Sequence, residues 1–299
     1  MLLKVAVTGG TGFVGTAVVS ELLEAGHEVR VLSRKAPERL PDGVTHVPGS
    51  IVTEEGLDAL VQGVDAVVHL VGIIKETGEN TFKKAHYEGT VNVITAASLA
   101  GVHRYLHMSA LGSREKAVSK YHQTKYAAEE AVRASGLDWT IFRPSTIFGP
   151  GDAFINMLID MMRKTPFMPV VGGEKTRMQP ISVQNVASAF RTALESDVTI
   201  GKTYELGGPE ELNLRQILEI VAQVIELKRV LINIPLWAVS PIVKIAQLFN
   251  IPLPVTSDQL IMLGEDNIRT GGDPVEELGV SWTPFEEGIR HYLGPVSSI

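Results

Sequence analysis

The sequence predicts an α/β fold: a doubly wound parallel sheet with a small lobe contributed by the C-terminal part of the chain. Three features carry this expectation. Short apolar runs alternate with longer helix-period runs through the first half. The apolar runs lack a clean polar face, as strands do when helices cover both sides of a parallel sheet. Most of the helix-period runs end at a glycine, the residue best suited to the left-handed backbone just past a helix terminus.

Taken in order, LLKVAV (2–7) opens the pattern as a strand and TAVVSELLEAG (16–26) follows as an amphipathic helix. EVRVLS (28–33) and THVPG (45–49) read as the next two strands, and EEGLDALVQG (54–63) as a short helix. AVVHLV (66–71), RYLHMS (104–109) and WTIFRP (139–144) extend the sheet, with helices GTVNVITAASLAG (89–101) and KYAAEEAVRASG (125–136) between them. After Gly149, Gly and Pro become frequent and the rhythm loosens. Residues 1–150 are therefore expected to form a core. Residues 151–299 are expected to supply late strands to the same sheet and a lobe over its carboxyl edge, interleaved in one compact unit.

Bulk composition narrows the class. The chain has 299 residues, 44% hydrophobic and 20% charged, enough to bury one large core or a core plus a lobe. A net charge of −7 opposes a general attraction to nucleic acid. With no cysteine there can be no disulfide, thiolate nucleophile or Cys-ligated zinc. Strand-like sequence from Leu2 leaves no space for a signal peptide, so a cytoplasmic location is expected. His69, His86, His103, His107 and His122 form no cluster with metal-ligand spacing, and no metal is assigned.

Thr8-Gly9-Gly10-Thr11-Gly12-Phe13-Val14-Gly15 stands between the first strand and the first helix. In that setting Gly9 permits a tight turn, Gly12 lets backbone approach a diphosphate, and Gly15 allows helix and strand to pack closely. The helix N-terminus adds free N–H groups and partial positive charge. A nicotinamide dinucleotide is the expected ligand. At the end of the second strand a carboxylate would bond a ribose 2′-hydroxyl, but Ser33, Arg34 and Lys35 stand there instead. That set suits a 2′-phosphate, so NADP(H) is expected over NAD(H).

TGGTGFVG (8–15), GVDAVVHLVG (63–72), YHQTK (121–125) and RPSTIFGPGD (143–152) together resemble the extended and atypical short-chain dehydrogenase/reductases. The resemblance implies a Rossmann fold with cofactor contacts from Gly9, Gly12, Phe13, Val14, Gly15, Leu70, Val71, Gly72, Pro144 and Ile147. It makes Tyr121 an acid/base and Lys125 the partner that holds the nicotinamide ribose; positions i and i+4 share one helix face. Relatives place a Ser or Thr near the end of the fifth strand to hold a substrate carbonyl. Here Ala110 falls at that position and Ser109 just before it, so Ser109 is the candidate catalytic hydroxyl. After the third strand, Gly49-Ser50-Ile51 replaces the family's Gly-Asp, which makes Ser50 and Ile51 candidate adenine contacts.

A narrower likeness covers nearly the whole chain. YLHMSALG (105–112), SKYHQTKYAAEEAVRASG (119–136), RMQPISVQNVA (177–187) and residues 234–263 are similar to the NADPH-binding accessory subunits of respiratory complex I and their bacterial relatives. This implies a cofactor-binding protein with residual hydride-transfer chemistry at the Tyr–Lys site. The alternatives are an NADP-dependent reductase or sugar-nucleotide epimerase or dehydratase, and a non-catalytic structural or redox-sensing subunit. Arg177 is read either as a contact for an anionic substrate group or as one partner of a structural ion pair.

From Val230 to Ser257, Lys244 is the only formal charge. Pro235, Pro241, Pro252 and Pro254 interrupt this stretch, which argues against a membrane-crossing helix. The expectation is a helical lobe buried against its own core. The alternative is an apolar face around Trp237, Ile242, Ile245 and Phe249 that meets a membrane, a protein partner or a lipophilic substrate, with the protein peripheral to the inner membrane.

Overall fold

The computed structural model describes residues 2–36, 41–249, 253 and 255–293. Its chain divides into two compact units. The first contains residues 1–144, 183–206 and 273–281; the second contains 145–182, 207–272 and 282–299. The division thus returns Val183–Leu206 and Asp273–Ser281 to the first unit, across the boundary expected at residue 150.

In the first unit, β1 (Lys4–Thr8) leads through the glycine loop to α1 (Phe13–Glu24), β2 (Glu28–Ser33) and β3 (Val44–Pro48). Then come α2 (Leu57–Val61), β4 (Ala66–His69), π-helical turns at Lys83–Glu88 running into α3 (Gly89–Leu99), and β5 (Arg104–Met108). Helix α4 (Lys120–Arg133) and β6 (Asp138–Pro144) complete the first pass. A late strand, Lys202–Leu206, pairs with β6 and forms the outer edge. The resulting seven-stranded sheet runs Lys202–Leu206, β6, β5, β4, β1, β2, β3, with every pairing parallel.

Strand order reverses between β1 and β4, so the crossovers from these two strands leave in opposite directions. This creates a crevice beyond their carboxyl ends, where open α/β sheets bind ligands. On one face, Ala6, Val67, Tyr105 and Ile141 from the strands pack with Leu57 and Leu60 of α2 and Val93 and Ala97 of α3. Burial on both faces explains the missing polar alternation in the strands.

The second unit has its own core. Phe148, Ile155, Ile159, Met168, Val170, Leu218, Val221 and Phe285 are among its buried side chains. Helix Ala153–Lys164 starts where the Asp152 carboxylate accepts the Ile155 N–H at 2.6 Å, and helix Leu214–Val224 starts at an Asn213–Gln216 capping box. Strand Phe167–Val171 pairs in parallel with Val230–Ile234. Helix Leu236–Leu248 follows, with Pro241 inside it; Pro252 and Pro254 lie outside the described residues. Among the described residues, no helix is long and apolar enough to cross a membrane.

Candidate functional site

The loop from β1 to α1 is as tight as its glycines require. Gly9 has φ +78°, a conformation that disfavours a side chain, and a Cβ there would lie 3.0 Å from the Leu70–Val71 backbone. Its carbonyl accepts the Gly12 N–H at 3.0 Å. A Cβ on Gly15 would collide with that same carbonyl oxygen. Gly12 is the N-cap of α1 and makes no side-chain cap; the helix has no acidic residue in its first turn. No acidic side chain of its own first turn offsets the positive end of its dipole. Phe13 is half-buried, and Val14 is packed inward, beneath the surface a diphosphate would meet.

At the tip of β2, Arg34 and Lys35 are exposed. Ser33 departs from expectation: its hydroxyl donates to the Lys35 carbonyl at 2.7 Å and lies 2.9 Å from His46 Nε2. It shapes the turn, and the two exposed cations stand beside it. Ser50 likewise works on its own turn, accepting the Val52 N–H at 3.2 Å. Ile51 is a core side chain packed against Gly89, while its carbonyl accepts from Asn92 at 2.9 Å.

Helix α4 begins where the Ser119 hydroxyl accepts the His122 N–H at 3.0 Å. Tyr121, Lys125 and Glu129 then follow at four-residue intervals on one face. Lys125 is only 2% exposed, and its ammonium donates to the Met108 carbonyl at 2.9 Å. It faces the loop after β4, since a Cβ on Gly72 would stand 3.0 Å from Nζ. Burial pulls its pKa down to about 8, with the Glu129 carboxylate opposing the shift. Burial also raises the Tyr121 phenol to about 12. Leu70 is buried and Val71 half-buried, so Gly72 is the exposed member of that loop.

Ser109 also departs from its expected role. Its hydroxyl donates to Glu129 Oε1 at 2.5 Å and lies 3.2 Å from the Ser113 hydroxyl. Glu129 is fully buried and further accepts from Arg133 at 2.7 Å and from Arg143 at 2.8 and 2.6 Å. A buried carboxylate needs such donors, and the Ser109 hydroxyl is one of them. Glu129 was invisible as a functional residue in the sequence, although its position four residues after Lys125 was a usable signal.

Three histidines read as incidental in the sequence lie under the crevice. His69, on β4, is held between Thr8 Oγ1 at 2.6 Å and Thr90 Oγ1 at 3.0 Å. Thr90 donates to the His86 carbonyl at 2.5 Å, so it must accept from His69 Nε2–H. His107 stacks on His69 at 5.4 Å. Neither His107 ring nitrogen has a hydrogen-bond partner among the described residues. Burial is the main cause that lowers the pKa of all three, to about 3 for His69 and about 2 for His86.

Other expected residues are placed by their own units. Pro144 is buried at the end of β6, and Leu111 N–H donates to its carbonyl at 2.9 Å. Ile147, in the second unit, is half-buried on the two-residue strand Ile147–Phe148, which pairs with Ile181–Ser182. Arg177 forms ion pairs with Asp266 and Glu211, both at 2.8 Å, in accord with its structural reading.

The expectation that the 230–257 stretch buries its apolar residues in its own core is overturned. Val243 and Ala246 face inward, but Trp237 is 79% exposed and Leu248 77%, and Ile242, Ile245 and Phe249 are also exposed. A helix normally turns such side chains toward its core, so this outward face is unusual.

Fold, glycine loop and Tyr–Lys face define a nicotinamide-dinucleotide-binding α/β protein of the short-chain dehydrogenase/reductase type. A family model described as NAD(P)H-binding matches residues 9–197, and the chain belongs to that family. It is 30% identical over 280 residues to subunit 9 of the mitochondrial NADH dehydrogenase [ubiquinone] 1 alpha subcomplex of Arabidopsis thaliana, covering 88% of this chain and 69% of that one. It is 34% identical over 187 residues to a ceramide reductase of Caulobacter vibrioides, covering 62% of this chain and 58% of the relative. Among solved structures, that of gox2253 superposes with a TM-score of 0.76 at 28% identity, covering 96% of this chain and 95% of that one.

Proposed function

We propose that the protein holds NADP(H) with high affinity and turns over carbonyl substrates slowly or not at all. The observation that carries this reading is the capture of the Ser109 hydroxyl by Glu129. A missing oriented donor typically costs on the order of 10²–10³ in rate. The glycine loop and the α1 N-terminus would hold the diphosphate, Arg34 and Lys35 the 2′-phosphate, and Tyr121 and Lys125 the nicotinamide ribose. A bound nicotinamide supplies or accepts hydride. Around it, Lys125 contributes an ammonium that hydrogen-bonds hydroxyls, and Tyr121 carries its proton at Oη. With its pKa raised to about 12, the phenol stays protonated at neutral pH, which suits donation to a carbonyl oxygen rather than proton removal from an alcohol. A reductase is the second reading, favoured by the retained Tyr121–Lys125 face.

The test begins with calorimetry on protein stripped of nucleotide. NADPH should bind tightly and exchange slowly, and Arg34→Ala should weaken NADPH at least tenfold more than NADH. Equal weakening would remove the 2′-phosphate assignment. Rapid carbonyl-dependent oxidation of NADPH, abolished in Tyr121→Phe, would replace the holder with the reductase.

The exposed face of helix Leu236–Leu248 is proposed to rest on an anionic membrane surface. Residues 227–257 contain Lys228, Arg229 and Lys244 and no acidic residue, in a chain whose net charge is −7. Apolar side chains around sparse cations match the interfacial region of such a membrane. Vesicles containing anionic lipid should sediment the protein, and Trp237→Ser with Ile245→Ser should abolish this. A wild-type protein that stays in the supernatant refutes the assignment.

A further inference from the structure

We infer that His86 is a positioning residue that locks the loop after β4 to the Tyr121–Lys125 turn of α4, and so sets the site for the nicotinamide half of the cofactor. The inference rests on the dinucleotide reading above.

His86 sits on the π-helical turns at Lys83–Glu88 and is buried. Its Nε2 lies 3.1 Å from the backbone nitrogen and 3.0 Å from the carbonyl oxygen of Ile73, the residue following Gly72. Its Nδ1 lies 2.9 Å from Thr124 Oγ1. Thr124 Oγ1 is also 3.0 Å from both the Lys120 and Tyr121 carbonyls. Whichever ring nitrogen carries the proton, one side of the ring bonds the Ile73 backbone and the other the Thr124 hydroxyl. One neutral ring thus joins the two segments that flank Lys125 Nζ. The ring also stands edge-on to Tyr121, with centroids 5.2 Å apart, and stacks on Phe82 at 5.4 Å.

A π-helical turn is an uncommon conformation and occurs mainly where a side chain must be aimed. Here it aims His86 between Ile73 and Thr124. The Lys125 ammonium donates to the Met108 carbonyl, on β5 rather than on the Gly72 loop. His86 needs no contact with the cofactor to act. It works through the loop on one side and the α4 turn on the other, and its ring hydrogen bonds go to Ile73 and Thr124 rather than to the glycine loop.

Two ligands separate this role from general support of the fold. NADPH engages the whole site, whereas ADP carries adenosine and diphosphate without the nicotinamide ribose. In titrations of the full chain, His86→Phe keeps the ring and removes both hydrogen bonds; it should weaken NADPH about tenfold and change ADP less than about twofold. Thr124→Val removes only the hydroxyl that bonds His86 and should shift NADPH in the same direction, while Thr124→Ser should bind like the wild type. If His86→Phe does not fold, the Val and Ser variants at Thr124 decide the matter. Unchanged NADPH affinity in His86→Phe and Thr124→Val, or equal weakening of NADPH and ADP, overturns the role of His86. Wild-type protein that binds neither ligand overturns the dinucleotide reading instead.

Discussion

Lowering the pH from 7.5 to 5 should destabilise the first unit by about 4 kcal/mol through His69 and His86 alone. Both rings are neutral and enclosed, with pKa values lowered to about 3 and about 2. In the unfolded chain each would titrate near the ordinary imidazole value of 6.5. Between these limits the unfolded state binds protons that the folded state refuses, so stability rises with pH and is lost as pH falls below 6.5. At pH 5 the deficit is about 1.5 pH units per ring at about 1.4 kcal/mol each, or ~2 kcal/mol per histidine. His107, lowered well below the ordinary range by burial and by its neighbours His69 and Lys125, pushes in the same direction. Urea melts followed by circular dichroism at half-unit steps from pH 7.5 to 5 measure the slope. His107→Phe removes one of the three groups without breaking a hydrogen bond to a described residue, and should make the slope shallower. A midpoint constant across this range, or equal slopes in wild type and variant, would refute the account of neutral buried rings.

Lys125 gives a second pH signature. Its ammonium is lost above about pH 8, so NADPH affinity should be level below that value and fall by up to about tenfold per unit above it. Lys125→Met should bind weakly and show no such slope. Gly15→Ala drives a methyl into the Gly9 carbonyl; it should lower stability by about 3 kcal/mol in chemical denaturation and weaken NADPH and ADP together. Glu129→Gln removes the carboxylate between Arg133, Arg143 and Ser109, and should cost about 3 kcal/mol by the same measurement.

Most of the sheet was legible because parallel strands announce themselves locally. Runs such as AVVHLV are apolar on both sides, and the glycine loop places its chemistry within eight consecutive residues. The Tyr121–Lys125 pair was legible for a related reason: helix periodicity puts i and i+4 on one face. Ser109 marks the limit of such reading, because strand position predicts where a hydroxyl sits but not which acceptor it bonds. Glu129 arrives from α4, twenty residues later in the chain. The burial expected for the 230–257 stretch failed for a comparable reason, since hydropathy does not say which way a helix turns.

The chain's own order of residues therefore determined the β–α alternation, the glycine loop, the cations at the tip of β2 and the Tyr–Lys spacing. These rest on short-range geometry, two or four residues at a time. Tertiary packing alone decided that Ser109 serves Glu129, that His69 and His86 are enclosed and neutral, and that Trp237 faces outward. Each of those outcomes depends on desolvation and on donors or acceptors supplied by distant segments, quantities that come into being only when the chain has folded.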